Sequence, residues 1–198
     1  MTYQTNRGND RPAERARFCI AGNQDWHKNS TVATSPVSPQ RAIRAVVAAS
    51  VVLDFSVHTE DFLRAYLQSE VPPEPIYVWA PPEAGHPNGM VWAFHCAMYG
   101  KNDAGRHFHF NIQARFRTIP GITPRTSFDT IYLSPLQSII ATYVDDNLNA
   151  GTPAFLRSLF SFLASYDTHK PDHDSIKLAG IIARSDAAGV RCDTDDYC

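Results

Sequence analysis

Lysine is scarce in this chain. Of its 18 Lys and Arg residues 14 are arginine, so its basic surface acts through planar guanidinium forks more than through mobile ammonium charge. Cysteine is scarce as well: Cys19, Cys96, Cys192 and Cys198 are scattered, with no CxxC pair, which excludes a zinc ribbon or a CxxC redox centre. Cys192 and Cys198 could bridge, but free thiols are expected. Long apolar runs are missing too. The longest, residues 45–53, is interrupted by Ser50 and is about half of the ~20 residues that a bilayer crossing needs. The opening MTYQTNRGND has no signal-peptide core and no transit-peptide enrichment in Arg and Ser. These absences predict an intracellular protein that is not secreted and has no membrane partner.

What is present suits one packed domain. The chain has 198 residues, 43% hydrophobic and 19% charged, too apolar for a disordered chain and too short for several domains. Its net charge of −2 conceals an asymmetry, because basic residues exceed acidic ones up to Arg125 and acidic ones dominate beyond it. A polyanion would therefore meet the first part of the chain.

Residues 1–14 are polar enough to form a disordered tail, and a single domain is expected over residues 15–198. RARFCIA at 15–21 reads as a strand entering a turn at Gly22 and Asn23, followed by a loop to Pro39. Ser38 and Pro39 predict a helix start, with Ile43, Val46, Val47 and Ser50 on one face. Residues 51–61 read as a strand ending near Asp61, and Ile76 to Trp79 as another. Met90 to Met98 is a further apolar stretch. Asp103 is placed to cap a helix carrying Phe108, Ile112 and Phe116 at fourfold spacing and ending at Pro120-Gly121. Residues 138–144 read as a buried strand, Asp145 and Asp146 as a turn, and residues 147–150 as the return strand. Thr152-Pro153 opens a helix with Leu156, Leu159, Phe160 and Leu163 at helical spacing, and residues 176–183 and 189–192 form a final hairpin. Helices interleaved with antiparallel hairpins define an α+β fold, an antiparallel sheet backed by helices.

The carboxylates carry the chemistry. An Asp-Asp pair between strands is most simply a turn, but two adjacent carboxylates can also have their repulsion relieved by a hard divalent cation. Asp61 supplies a third, at the end of a separate strand. If that strand neighbours the Asp145 strand, the carboxylates converge on one sheet edge, where two metal ions roughly 3.5 to 4 Å apart can serve phosphoryl transfer.

Tyr143-Val144-Asp145-Asp146 after Ile139-Ile140-Ala141 resembles the signature hairpin of reverse transcriptases. Asp61 followed by Ala65-Tyr66-Leu67, Ile76-Tyr77-Val78 and Pro81-Pro82 is similar to the block of copia-type LTR retrotransposons in which aspartate precedes AFL, an IYM strand and PPG. Further blocks follow in order: Arg15-Ala16-Arg17 resembles the KAR strand, Ser35-Pro36-Val37 the SPV, and Met98-Tyr99-Gly100 with Arg106 the LYGLKQxPR segment. Gly180-Ile181 resembles the LG element and Tyr197 the closing tyrosine. The resemblance spans residues 15–198. It implies a ferredoxin-like polymerase palm with partial fingers and no thumb, truncated at its C-terminus. The activity implied is RNA-directed DNA polymerisation, with Asp61, Asp145 and Asp146 as catalytic residues holding two Mg²⁺ ions, or Mn²⁺ in their place. Tyr66 would be a steric gate against ribonucleotides, with a core aromatic as its plainer reading. Arg17, Asp103 and Arg106 would line the nucleotide site, though a solvated strand-edge arginine serves equally for Arg17. Gly180 would belong to the primer grip. The implied partners are an RNA or DNA template-primer, dNTPs and the remainder of a pol polyprotein (RNase H, integrase), in the cytoplasm or a virus-like particle.

Departures from the family pattern matter equally. Asp103 stands where the family has glutamine, a carboxylate of the wrong sign toward a triphosphate unless metal or Arg106 compensates. Gly105 replaces the proline, and the lysine has moved by one position to Lys101. The alternative to a polymerase is a degenerate remnant without activity in isolation. A metal-dependent phosphohydrolase is a third class, but it would not need Tyr66. His107 and His109, two apart on a helix, do not face one metal, and His58 reads as structural.

Overall fold

The computed structural model describes residues 2–5, 14–25, 35–70, 75–125, 128–135, 137–169, 176–179, 181–186 and 189–193. Strand β1 (Thr2–Thr5) pairs antiparallel with β2 (Glu14–Arg17), so part of the expected tail is a strand. Thr2, Tyr3 and Thr5 supply the β-branched and aromatic character that favours it. Helix α1 (Gln40–Val52) buries Ile43, Val46, Val47 and Ser50, the face that the spacing predicts. Its N-cap is Pro39, with no side-chain cap bond. The expected cap, Ser38, instead donates to Thr130 Oγ1 at 3.0 Å, because its hydroxyl is fully buried against the sheet. The helix runs on through Val52, and Asp54 turns the chain at φ 54° before β3 (Ser56–Asp61). The expected strand at residues 51–55 is thus helix end and turn, a left-handed corner that Asp tolerates better than most side chains.

β4 (Ile76–Trp79) and β5 (Val91–Phe94) form a separate two-stranded hairpin. Phe18 packs on its inner side, 5.6 Å from Trp92 and 5.8 Å from Phe94. Helix α2 (Ala104–Arg117) follows, with Phe108, Ile112 and Phe116 buried. Next come β6 (Thr123–Arg125), β7 (Phe128–Ser134), β8 (Ser138–Tyr143), β9 (Asp146–Gly151) and helix α3 (Pro153–Leu163). Thr152 caps α3 by accepting from Phe155 N–H at 3.3 Å, as its place before Pro153 predicts. The chain returns as a meander of β10 (Ile176–Leu178), β11 (Ile181–Asp186) and β12 (Gly189–Asp193).

The central sheet is antiparallel and five-stranded, in the order β3-β9-β8-β7-β6. Strand alternation sends neighbouring residues to opposite faces, and two cores result. Tyr132 and Ile140 join Phe62, the inner faces of α2 and α3, and Ile122 on one side. Ile131 and Ala141 join α1, Leu148, Ala150 and the β10–β11 residues on the other. The fold is α+β, and the three helices of the described residues clamp the sheet from both faces. No helix among the described residues is long and apolar enough to cross a membrane.

Candidate active site

The three carboxylates meet at one end of the central sheet. β3 and β9 are antiparallel neighbours whose register sets Asp61 opposite Asp146, while Tyr143 opposes Asp146 from β8. The turn residues are Val144 and Asp145, and Asp146 is already the first residue of β9, one position earlier than the sequence pattern predicts. Val144 takes φ 57°, a strained conformation for a β-branched residue of the kind that persists where surrounding structure over-determines it. Phe62 N–H donates to the Asp145 carbonyl at 2.9 Å, which ties the turn to the end of β3. Burial, then the charges of Asp145 and Asp61, push the Asp146 carboxyl up to about 7. Three carboxyl groups thus crowd one edge, and a proton or cation held at Asp146 eases the repulsion there.

A second chain segment locks Asp61 from its far side. Phe62 forms an antiparallel bridge with Thr168, flanked by bonds from Leu63 N–H to the Asp167 carbonyl and from His169 N–H to the Asp61 carbonyl, both 2.9 Å. His169 Nε2 lies 3.5 Å from Asp61 Oδ2. Beneath the acidic edge, Glu60 is buried and accepts from Asn149 Nδ2 at 3.4 Å. Burial raises its carboxyl, while Thr168 and Asn149 oppose the shift.

Beyond Asp61 the chain enters the 3₁₀ turn Ala65–Gln68. Tyr66 is half-buried there, its ring 5.0 Å from that of Tyr99, on the surface of the core and not inside it. Tyr99 precedes Gly100, whose φ of 88° and whose Cα lies so near Ile20 that a Cβ would stand 2.0 Å from the Ile20 carbonyl oxygen. That approach admits the bond from Ile20 N–H to the Tyr99 carbonyl at 2.8 Å, and so joins the residues after β2 to the Tyr66 pocket. Gly105, in the first turn of α2, leaves room for Ser35 and for the Tyr66 hydroxyl, 3.6 Å from where a Cβ would sit.

The charge at Asp103 is compensated. Lys101 Nζ lies 2.6 Å from both of its oxygens and His107 Nε2 lies 3.2 Å from Oδ2. Burial alone would raise this carboxyl, but Lys101 and His107 outweigh it and hold it below the usual carboxylate range. Asp103 precedes α2 as its N-cap residue yet makes no side-chain cap bond, because its oxygens are taken by these cations. The Arg106 guanidinium stacks 4.8 Å from the Phe110 ring. Arg17 is the last residue of β2, paired with Thr2, and Gly180, the expected primer-grip glycine, lies outside the described residues, as does Tyr197.

Compared with known families, residues 10–197 match the reverse transcriptase (RNA-dependent DNA polymerase) family. The chain belongs to that family. It is the family typical of copia-type retrotransposons. No curated protein matches the chain. For a reverse transcriptase, the implied substrates are a nucleic-acid template-primer and dNTPs.

Members of this family generally use Mg²⁺. Among the described residues, no group of three or more His, Cys, Asp or Glu side chains is drawn together as a ready-made metal cage. The donor set nevertheless fits a hard cation that keeps water and substrate phosphate as most of its ligands: Asp61, Asp145 and Asp146 offer oxygen alone, and the upward shift at Asp146 comes first from burial and then from the charges of Asp145 and Asp61. The two helix imidazoles serve other ends, since His107 joins Asp103 and His109 Nε2 lies 3.8 Å from Asp129 Oδ2. His58 packs edge-on against Phe160 at 5.4 Å, the structural role its pattern suggests. Sequence reasoning gave no part in this candidate site to Gln68 or His169, and named Lys101 only as a displaced lysine. Only for Lys101 was there a local signal, a cation two residues before a misplaced carboxylate.

Proposed function

We propose that this chain is the palm, with part of the fingers, of a copia-type RNA-directed DNA polymerase that transfers nucleotides from dNTPs to a primer 3′-hydroxyl. The observation that carries the reading is the β3–β9 register, which sets Asp61 opposite Asp146 beside the Asp145 turn. The five-stranded antiparallel sheet with α2 and α3 on one face supports the palm, and β1, β2 and the β4–β5 hairpin correspond to the fingers.

In this mechanism Asp61 and Asp145 are the principal metal ligands, with Asp146 beside them. Two bound Mg²⁺ ions, or Mn²⁺, would supply charge that favours deprotonation of the primer hydroxyl and offsets the charge on departing pyrophosphate. The chain's own part is placement. The Phe62–Asp145 backbone bond holds the two strand ends together, and Tyr66 presents its ring where a ribose 2′-hydroxyl would collide. Arg17 and Arg106 are the guanidinium donors for the triphosphate, and Gly180 allows the close approach of the primer strand. Asp103 serves the nucleotide site indirectly, by holding Lys101 and His107 at the start of α2. The working protein would be intracellular, in the cytoplasm or a virus-like particle, beside the RNase H and integrase of a pol polyprotein.

The second reading is a remnant that keeps the triad by descent but does not polymerise; Asp103 and Gly105, standing where the family pattern has glutamine and proline, favour it. Primer extension on a homopolymer RNA template with Mg²⁺ and dNTPs separates the two. Extension by the chain that vanishes in Asp145→Asn supports the polymerase, and a folded chain that extends nothing leaves the remnant.

A further inference from the structure

Gln68 closes the 3₁₀ turn that carries Tyr66, and its side chain behaves as an extra strand residue. Its Oε1 accepts from Asp167 N–H at 2.7 Å, and its Nε2 donates to the Asp167 carbonyl at 2.8 Å and to the Leu63 carbonyl at 2.6 Å. One amide therefore satisfies both backbone groups of Asp167 and one of Leu63, a match of donors and acceptors that few other side chains can make. Asp167 in turn accepts from Leu63 N–H and pairs with Arg64. Arg64 sits at φ 54°, a corner that separates the strand bearing Asp61 from the turn bearing Tyr66.

These contacts form a closed circuit. Asp61 and Phe62 are held by residues 167–169 on one side and by the Asp145 carbonyl on the other. The Tyr66 turn, across the strained Arg64 corner, is fastened to the same segment by Gln68. Without Gln68 the backbone bonds of the strand end would persist, and the turn would keep its local bonds, from Leu67 N–H to Arg64 and from Ser69 N–H to Tyr66, and the bond from Ala97 N–H to Ser69 Oγ at 3.2 Å, but it would lose its side-chain fastening to residues 167–169. The separation between the Asp61 carboxylate and the Tyr66 ring would then no longer be fixed through the segment that holds Asp61. We propose that Gln68, acting through residues 167–169, is a positioning residue that sets Tyr66 against Asp61 and thereby determines discrimination between deoxyribose and ribose. This rests on the reading of Tyr66 as a steric gate. A gate excludes one hydroxyl by contact, so a displacement of about 1 Å is enough to relax it.

The test is equilibrium binding of Mg²⁺-dATP and Mg²⁺-ATP to the full chain on a template-primer whose primer ends in a dideoxynucleotide, so that no chemistry intervenes. The parent is expected to prefer dATP, and Tyr66→Ala to lose that preference, which tests the gate itself. Gln68→Met, which keeps the length but not the polar atoms, is expected to lower the preference about tenfold with Tyr66 intact. Gln68→Glu, which accepts from Asp167 N–H but cannot donate while ionised, is expected to lower it as well and stands in if Gln68→Met does not fold. A parental preference in the folded Gln68 variants overturns the proposal, as does an equal loss of affinity for both nucleotides. If Tyr66→Ala still abolishes the preference in those experiments, the gate reading survives. A parent without preference, unchanged by Tyr66→Ala, overturns both.

Discussion

Lys101 Nζ bridges both carboxylate oxygens of Asp103 at 2.6 Å, and the side chains are only 19% and 10% exposed. The carboxylate that is wrong in sign for a nucleotide site is thereby neutralised from two residues away. Removing one partner strands the other. Lys101→Met is expected to cost about 2–4 kcal/mol, and Asp103→Asn less, because the more exposed lysine can find water. The double variant Lys101→Met/Asp103→Leu should be more stable than the sum of the single changes implies. Urea unfolding of all four proteins measures the coupling, and strict additivity would deny it. Because Asp103 holds Lys101 and His107 at the start of α2, Asp103→Gln is expected to lower primer extension.

Asp146 makes stability fall as pH rises. Its carboxyl is pushed up to about 7 by burial and by Asp145 and Asp61, whereas in the unfolded chain it titrates near about 3.9. The folded state therefore binds the proton more tightly. Below the unfolded value both states are protonated and there is no penalty; between the two values the penalty grows, and above the folded value it is complete. Asp146→Asn should match the parent near pH 4 and exceed it by about 1–3 kcal/mol at pH 8 in metal-free buffer, after allowance for solvent screening. Thermal melts across that range check the sign, and a constant difference would refute it.

Phe62 joins the acidic edge to the core. It is 1% exposed and meets Phe108 at 5.4 Å and Tyr166 at 5.3 Å, both edge-on. Phe62→Ala is expected to cost about 3–5 kcal/mol. Phe62→Leu should cost less, because it fills more of the space. Denaturant midpoints give the order, and equal effects would show that refilling the space recovers nothing and that the edge-on ring contacts carry the whole contribution.

Gly105→Ala sets two effects against each other. Alanine favours a helix by about 1 kcal/mol over glycine, but its Cβ would stand 2.9 Å from Ser35 Cβ and 3.0 Å from Ser35 Oγ. Overpacking of this kind costs about 1–3 kcal/mol, so the variant should be destabilised. Gly105→Ala/Ser35→Gly should recover the loss. Stabilisation by Gly105→Ala alone would mean that Ser35 yields freely.

Elements with a strong period were legible in the sequence. The buried faces of α1, α2 and α3 follow 3.6-residue spacing, and Thr152-Pro153 marks the start of α3 with the cap bond it predicts. Weaker signals were missed. No element was expected between Pro120 and Ser138, yet β6 and β7 lie there. β7 is the strand that sends Ile131 and Tyr132 to opposite cores, so the two-core arrangement was not legible without it. At Ser38 the local cap pattern was present, but the hydroxyl is used by Thr130, 92 residues away.

Sequence alone determined which residues could form the site. Asp61, Asp145, Asp146 and Tyr66 stand out because short-range chemistry, strand ends, an acidic pair and ordered motifs, is written in adjacent residues. Tertiary structure alone decided how they are held. The β3–β9 pairing, the cation beside Asp103 and the bonds from Gln68 and His169 join positions as many as 108 residues apart, as from Asp61 to His169. A backbone bond or an ion pair depends on distance and angle in space, and no local pattern of residues encodes those until the chain has packed.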